Sequence, residues 1–270
     1  MIMSIPQRLY KYEPLTIQTL LNLKSQVLYF GPPANFNDPY DCAIRANVRE
    51  PTIEEVEEFR SKYSRIEEFP VTTRHALKSA NANELRAWLK KIGQESMNLI
   101  AEKNIRSRGV TCFSELNDEL LMWSHYADKY KGICLEFDTQ YEPFSKARIV
   151  RYCETMPSLS ITDALLNNNY EQILDLYCTK SSSWGYEKEW RCIHKEAGTK
   201  WVYESQALTG VYFGPAVDLD ALEIVCLILQ GQNHSASFFR GKRSDERFVI
   251  DFEQFDYIPY LIAKESGLNT

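Results

Sequence analysis

The stretch 109–138, GVTCFSELNDELLMWSHYADKYKGICLEFD, reads as strand, helix, strand. GVTCFS at 109–114 has strand character and ends on Ser114, directly before an acidic turn. Asn117 or Asp118 is placed to cap a helix through ELLMWSHYADKY, and Gly132 ends it before the strand ICLEFD at 133–138.

Toward the N-terminus, RLYKY at 8–12 reads as a strand. Pro14 then opens LTIQTLLNLKSQ, with Leu15, Leu20, Leu21 and Leu23 near helical spacing, and VLYF at 27–30 is a strand stopped by Gly31, Pro32 and Pro33. A turn-rich loop carrying FNDPYD at 36–41 follows. From 51 to 106 the pattern is helical: Pro51 precedes TIEEVEEF, and Leu85, Trp88, Leu89 and Ile92 fall along one face of a long helix.

Toward the C-terminus, RIVRYC at 148–153 reads as a strand and ITDALLNNNYEQILDLYC as an amphipathic helix. Strands are expected at EWRCIHK, ALTGVYFG and EIVCLIL, with a frayed tail from 263. Hairpin-like strand pairs mixed with helices, rather than strict alternation, predict an α+β fold with a mixed, mostly antiparallel sheet. The expectation is a single domain over 1–270, with a helical insertion at about 51–106.

Composition narrows the function classes. Apolar residues make up 44% and charged residues 25%, so a sizeable core can be buried. A net charge of −6 and no basic run argue against duplex nucleic acid as a partner. Seven scattered cysteines, at 42, 112, 134, 153, 178, 192 and 226, form no C-x-x-C pair and point to a reduced, cytoplasmic protein with no structural metal site. The N-terminus lacks a signal or transit pattern and no run of 18 apolar residues occurs, so no membrane association is expected.

Aromatic residues, 13% of the chain, concentrate where the polar chemistry lies. In FNDPYD, the side chains of Asn37, Asp38 and Asp41 either bond nearby amides in a turn or face a polar ligand. On a helix, Trp123, Tyr126 and Tyr130 stand at i, i+3 and i+7, and His125 is either a partly buried structural histidine or a pocket residue. Ser114 is either an N-cap or a group that orients a carboxylate. In WGYEKEWR at 184–191, a strand would put Glu187 and Glu189 on one face, flanked by Trp184 and Tyr186 and followed by Arg191. Surface pairing with Lys188, Arg191 or Lys180 is the plain alternative.

Taken in order, LYKY, FNDPYD, CFS, LMWSHYAD-x-x-KG-x-C-L-x-F and W-x-YE-x-EWR resemble a family of bacterial and phage proteins filed as domain of unknown function 2971. That family implies no reaction. A strand-borne serine followed by E-x-E on a late strand is also similar to ADP-ribosyltransferases, which implies a split sheet and NAD as substrate. Carried onto this chain, the likeness implies Glu189 as the catalytic carboxylate and Glu187 as the group that activates the acceptor. It further implies Ser114 as their strand serine and Tyr10 or Lys11 as the first-strand contact, with Tyr12 beside them. The first strand departs from the usual Arg or His, and no Ser-Thr-Ser follows Phe113.

Three functions follow as expectations. The first is an NAD-binding ADP-ribosyltransferase-like enzyme or NAD glycohydrolase, acting as a toxin or antiphage effector. The second is a nucleotide-sensing module that uses Asp38, His125 and Arg191 for recognition. The third is a divalent-metal hydrolase or nuclease built on Asp38, Asp41, Glu187 and Glu189.

Overall fold

A computed structural model describes residues 4–43, 46–169, 171–232 and 236–267. The elements begin with β1 (Arg8–Glu13), α1 (Ile17–Lys24), β2 (Val27–Phe30), β3 (Asn47–Val48), α2 (Ile53–Tyr63), α3 (Val71–Ser79) and α4 (Ala82–Ser107). The middle of the chain supplies β4 (Gly109–Ser114), α5 (Leu120–Tyr126), β5 (Ile133–Asp138), β6 (Arg148–Ile149), β7 (Arg151–Cys153), β8 (Ser158–Leu159), α6 (Ile161–Asn167) and α7 (Glu171–Tyr177). The last part gives β9 (Thr179–Ser181), β10 (Glu189–His194), β11 (Thr199–Val202), β12 (Leu208–Phe213), α8 (Leu219–Gln230), β13 (Ser237–Arg243), β14 (Ile250–Phe255) and α9 (Tyr260–Glu265). The fold is α+β with a mixed, mostly antiparallel sheet, as the element order implied. Among the described residues, no helix is long and apolar enough to cross a membrane.

The chain separates into two compact units, one formed by 1–31, 108–150 and 183–270, the other by 32–107 and 151–182. The first holds an eight-stranded sheet ordered β14-β13-β12-β5-β1-β4-β10-β6. β1 lies between β5 and β4, antiparallel to both. β12 and β13 run parallel, joined by the α8 crossover that a parallel pair requires.

Strict alternation sorts the side chains of this sheet to its two faces. Leu9, Phe113, Leu135, Phe137, Trp190, Val211 and Phe213 point one way, into a core closed by Leu23 of α1 and by Leu222, Val225 and Leu229 of α8. Tyr12, Cys134 and Tyr212 point the other way and meet Met122 and Trp123 of α5. The second face is the polar-aromatic one.

The second unit is mainly helical. Thr52 caps α2 in a complete capping box with Glu55. Val56 and Phe59 of α2 then pack on Leu85 and Leu89 of α4. Trp88 and Ile92, expected on that buried face, are 49% and 38% exposed, because the contact stripe takes one residue per turn at i and i+4.

Several sequence readings require correction. EIVCLIL is not a strand: it lies in α8, where Asp218 caps the helix and the buried residues Leu222, Val225, Cys226 and Leu229 follow helical spacing. RIVRYC breaks at Val150 into β6, which pairs with β10, and β7, which pairs with β9. The helix expected over 161–178 is two helices, because Asn168 takes the left-handed conformation that ends α6. The tail keeps helical structure through Glu265, and 268–270 lie outside the described residues.

Candidate functional site on the polar face of the sheet

On the polar face, register aligns the residues that the motifs single out. Tyr10 stands opposite Ser114, and Ser114 stands opposite Glu189, on the adjacent strands β1, β4 and β10. Tyr12 lies on the same face, whereas Lys11 points to the other. There its ammonium lies 3.2 Å from Glu13 and 5.8 Å from the centre of the Phe113 ring, beside a cavity of about 20 Å³. Burial opposes the Lys11 charge, but Glu13 and Cys112 outweigh it and its pKa moves up, so Lys11 remains a cation. Of the two first-strand candidates, Tyr10 is the one that shares a face with Ser114.

Ser114 is fully buried. Its hydroxyl donates to the Glu187 carbonyl at 2.7 Å and accepts the Leu116 N–H at 3.0 Å. It is not a helix cap. Neither Asn117 nor Asp118 caps α5; Glu119 does, through the Leu121 N–H. Asn117 contributes its carbonyl instead, which accepts the Trp123 indole N–H at 2.7 Å.

The E-x-E pair does not share a strand face. Glu187 ends a 3₁₀ turn, Lys188 takes φ 45°, and the strand begins only at Glu189. The left-handed residue breaks the two-residue alternation, so the carboxylates part. Glu187 accepts the Tyr126 hydroxyl at 2.7 Å. Both oxygens of Glu189 accept from Arg191, from Nε and Nη2 at 2.7 Å each, and the two side chains are 5% and 0% exposed. The turn is tied again through Glu115, whose N–H donates to the Lys188 carbonyl and whose carboxylate accepts the Trp190 indole N–H at 2.7 Å. Segments 112–117, 120–126 and 184–191 are thus partners in one hydrogen-bonded network.

Around this network, Trp123 is buried and meets Tyr12 edge-on at 5.3 Å. His125 is exposed and touches the Tyr126 ring edge-on at 6.3 Å. Trp184 and Tyr186 lie 6.1 Å apart. Tyr130 is not a seventh-residue helical neighbour of Trp123, because α5 stops at Tyr126 and Asp128, Lys129 and Tyr130 all take positive φ. Its hydroxyl returns to the Leu120 carbonyl at 3.0 Å.

Sequence reasoning missed the far end of the row. Glu136 of β5 stands opposite Tyr10. It accepts Thr209 at 2.7 Å and Tyr212 at 2.8 Å, and Arg8 lies at 3.3 Å while also pairing with Asp138 at 2.6 Å. Burial, reinforced by Glu136, pushes the pKa values of Tyr10 and Tyr212 well up, so both hydroxyls remain donors. The available signal was a charged residue at the centre of the apolar strand ICLEFD.

Asn37, Asp38 and Asp41 belong to the second unit. Asn37 is exposed, and Asp38 accepts the Tyr40 N–H at 2.8 Å in an Asx turn. Asp41 accepts the Cys42 N–H and lies 3.2 Å from Lys180, with both side chains almost wholly buried. FNDPYD is thus a built turn whose last acid forms an interior ion pair. Among the described residues, no group of three or more His, Cys, Asp or Glu stands together to hold a metal.

Residues 122–192 match the family described as Protein of unknown function (DUF2971). The chain therefore resembles that family over the stretch carrying the central motif and WGYEKEWR. No curated protein and no solved structure matches the chain.

Proposed function

We propose that the first unit is an NAD-consuming enzyme of the ADP-ribosyltransferase type, or an NAD glycohydrolase using the same chemistry. The observation that carries this reading is the register row Tyr10, Ser114, Glu189 across three adjacent strands. It gives the polar face a flat aromatic ring and a fixed carboxylate, with a hydroxyl between them that braces the turn leading into that carboxylate.

In the proposed reaction, the bond between nicotinamide and ribose C1′ breaks and its electron pair leaves with nicotinamide, neutralising the pyridinium. The ribose passes through an oxocarbenium-like state, which a fixed anion stabilises more than a strong nucleophile would. Glu189, oriented by Arg191, supplies that anion. The acceptor oxygen, from a protein, nucleotide or water, forms the new bond to C1′ with its own lone pair and releases its proton to solvent, since Glu187 is turned away from Glu189 and bonded to Tyr126.

Incubation with NAD labelled on both halves, with and without cell extract as a source of acceptors, tests the proposal. Wild type should release free nicotinamide, and Glu189→Gln should slow release by roughly 10²-fold or more. No release by either protein, under both conditions, overturns it.

One observation favours a second reading, a nucleotide-sensing module: Arg191 already engages both oxygens of Glu189. A thermal shift with NAD or ADP-ribose, without nicotinamide release, would select this reading over the enzyme.

A further inference from the structure

Helices α1 and α8 cover the apolar face of the sheet, and each buries only one side. In α1, Thr19 and Leu23 are buried. In α8, Leu222, Val225, Cys226 and Leu229 are buried. Their opposite sides are apolar as well. Ile17 and Leu21, one turn apart on α1, are 79% and 49% exposed, and Ile224 and Leu227 on α8 are 45% and 48% exposed. Large apolar side chains clustered on neighbouring helices mark a contact surface, unlike apolar residues scattered singly.

The charges at the two ends of this surface are opposite. The side chain of Gln232, just past α8, donates to the Lys24 carbonyl at 2.6 Å, so the C-terminal ends of the two helices lie together with exposed Lys24 beside them. Exposed Asp218 and Asp220 stand at the other end of α8, about 15 Å away at helical rise. A twofold axis through the patch reverses its direction. The acidic end of one copy then meets the basic end of the other while the apolar residues meet at the centre, and the helix dipoles of the facing α8 pair oppose.

We propose that the α1–α8 face is a self-complementary interface through which two copies of this chain associate in solution. The occupant is a second copy because the charge pattern fits its own reverse. With four large apolar side chains at its centre and single charges at its ends, the contact is of the weak class, with association expected in the micromolar range.

Sedimentation velocity of the full chain through a micromolar concentration series is the test. Wild type should shift from monomer to dimer. Leu21→Glu and Leu227→Glu should remain monomeric, with far-ultraviolet circular dichroism confirming that each is folded. Lys24→Glu should weaken the dimer about tenfold, and the double change Lys24→Glu with Asp220→Lys should restore it, which loss of folding cannot mimic. A wild type that stays monomeric throughout, or apolar-to-Glu variants that dimerise as wild type does, overturns the proposal. This inference does not rest on NAD chemistry: an inactive protein that dimerises leaves it standing, and an active monomer removes it alone.

Discussion

Ser114 holds two backbone groups that would otherwise lose a partner inside the protein. Ser114→Ala leaves the Leu116 N–H without its acceptor and the Glu187 carbonyl without this donor. The expected cost is about 1–3 kcal/mol, read as a lowered midpoint of chemical denaturation with an unchanged slope. Tyr126→Phe removes the hydroxyl bonded to Glu187 and should cost about 1 kcal/mol or more, since the acceptor is an interior carboxylate. The motifs that carry Ser114 and Glu189 were legible as dense polar-aromatic stretches, but their register pairing across β4 and β10 was not, because nothing local in either segment names its partner strand. That Glu187 and Glu189 diverge was not legible, since no residue type announces a lysine at φ 45°. Glu136 was legible in principle: a carboxylate in mid-strand must be satisfied, and four side chains from two neighbouring strands satisfy it.

Elements succeed or fail in the sequence according to how local their signals are. β2, β4 and β5 run over the residues read for them, each bounded by a glycine, a proline or a polar turn. The α8 segment EIVCLIL misled because a short apolar run fits a buried strand as well as a buried helix, and the decisive cap, Asp218, lies upstream of it. The pair β13 and β14 lacks a short glycine turn and went unread. The loop after α5 is the most demanding piece. A Cβ on Gly132 would lie 2.3 Å from the Glu13 carbonyl oxygen, so Gly132→Ala should force the backbone aside and cost about 3 kcal/mol or more, checked by thermal unfolding. In α2, the bond from Arg49 holds the Glu55 carboxyl down at about 2. A lowered folded pKa contributes stability that is complete above the ordinary value of 4.5 and is lost as the pH falls toward 2. Denaturation midpoints followed across that window should fall more steeply for wild type than for Glu55→Gln.

At the scale of the molecule, each unit is assembled from segments far apart in the chain, and this is what sequence patterns carry least. The second unit joins 32–107 to 151–182, and the Asp41–Lys180 pair fastens one segment to the other in its interior. Asp41→Asn keeps the shape but removes the carboxylate that lies 3.2 Å from the buried Lys180 ammonium. It should cost about 1–3 kcal/mol, the loss of a charge-assisted bond, and lower hydrogen-exchange protection in α7 and β9. The central position of β1 bears on how the protein is made. Its neighbours β4 and β5 start at Gly109 and Ile133, so at about 5–20 residues per second the nascent strand waits roughly 5–20 s for its first partner. During that interval RLYKYE leaves the ribosome with both hydrogen-bonding edges open, and it is flanked on both sides only once β5 is complete at Asp138. Slowing translation between residues 13 and 109 should therefore lengthen the exposure of these open edges and raise the fraction lost to aggregation, measured as the soluble yield.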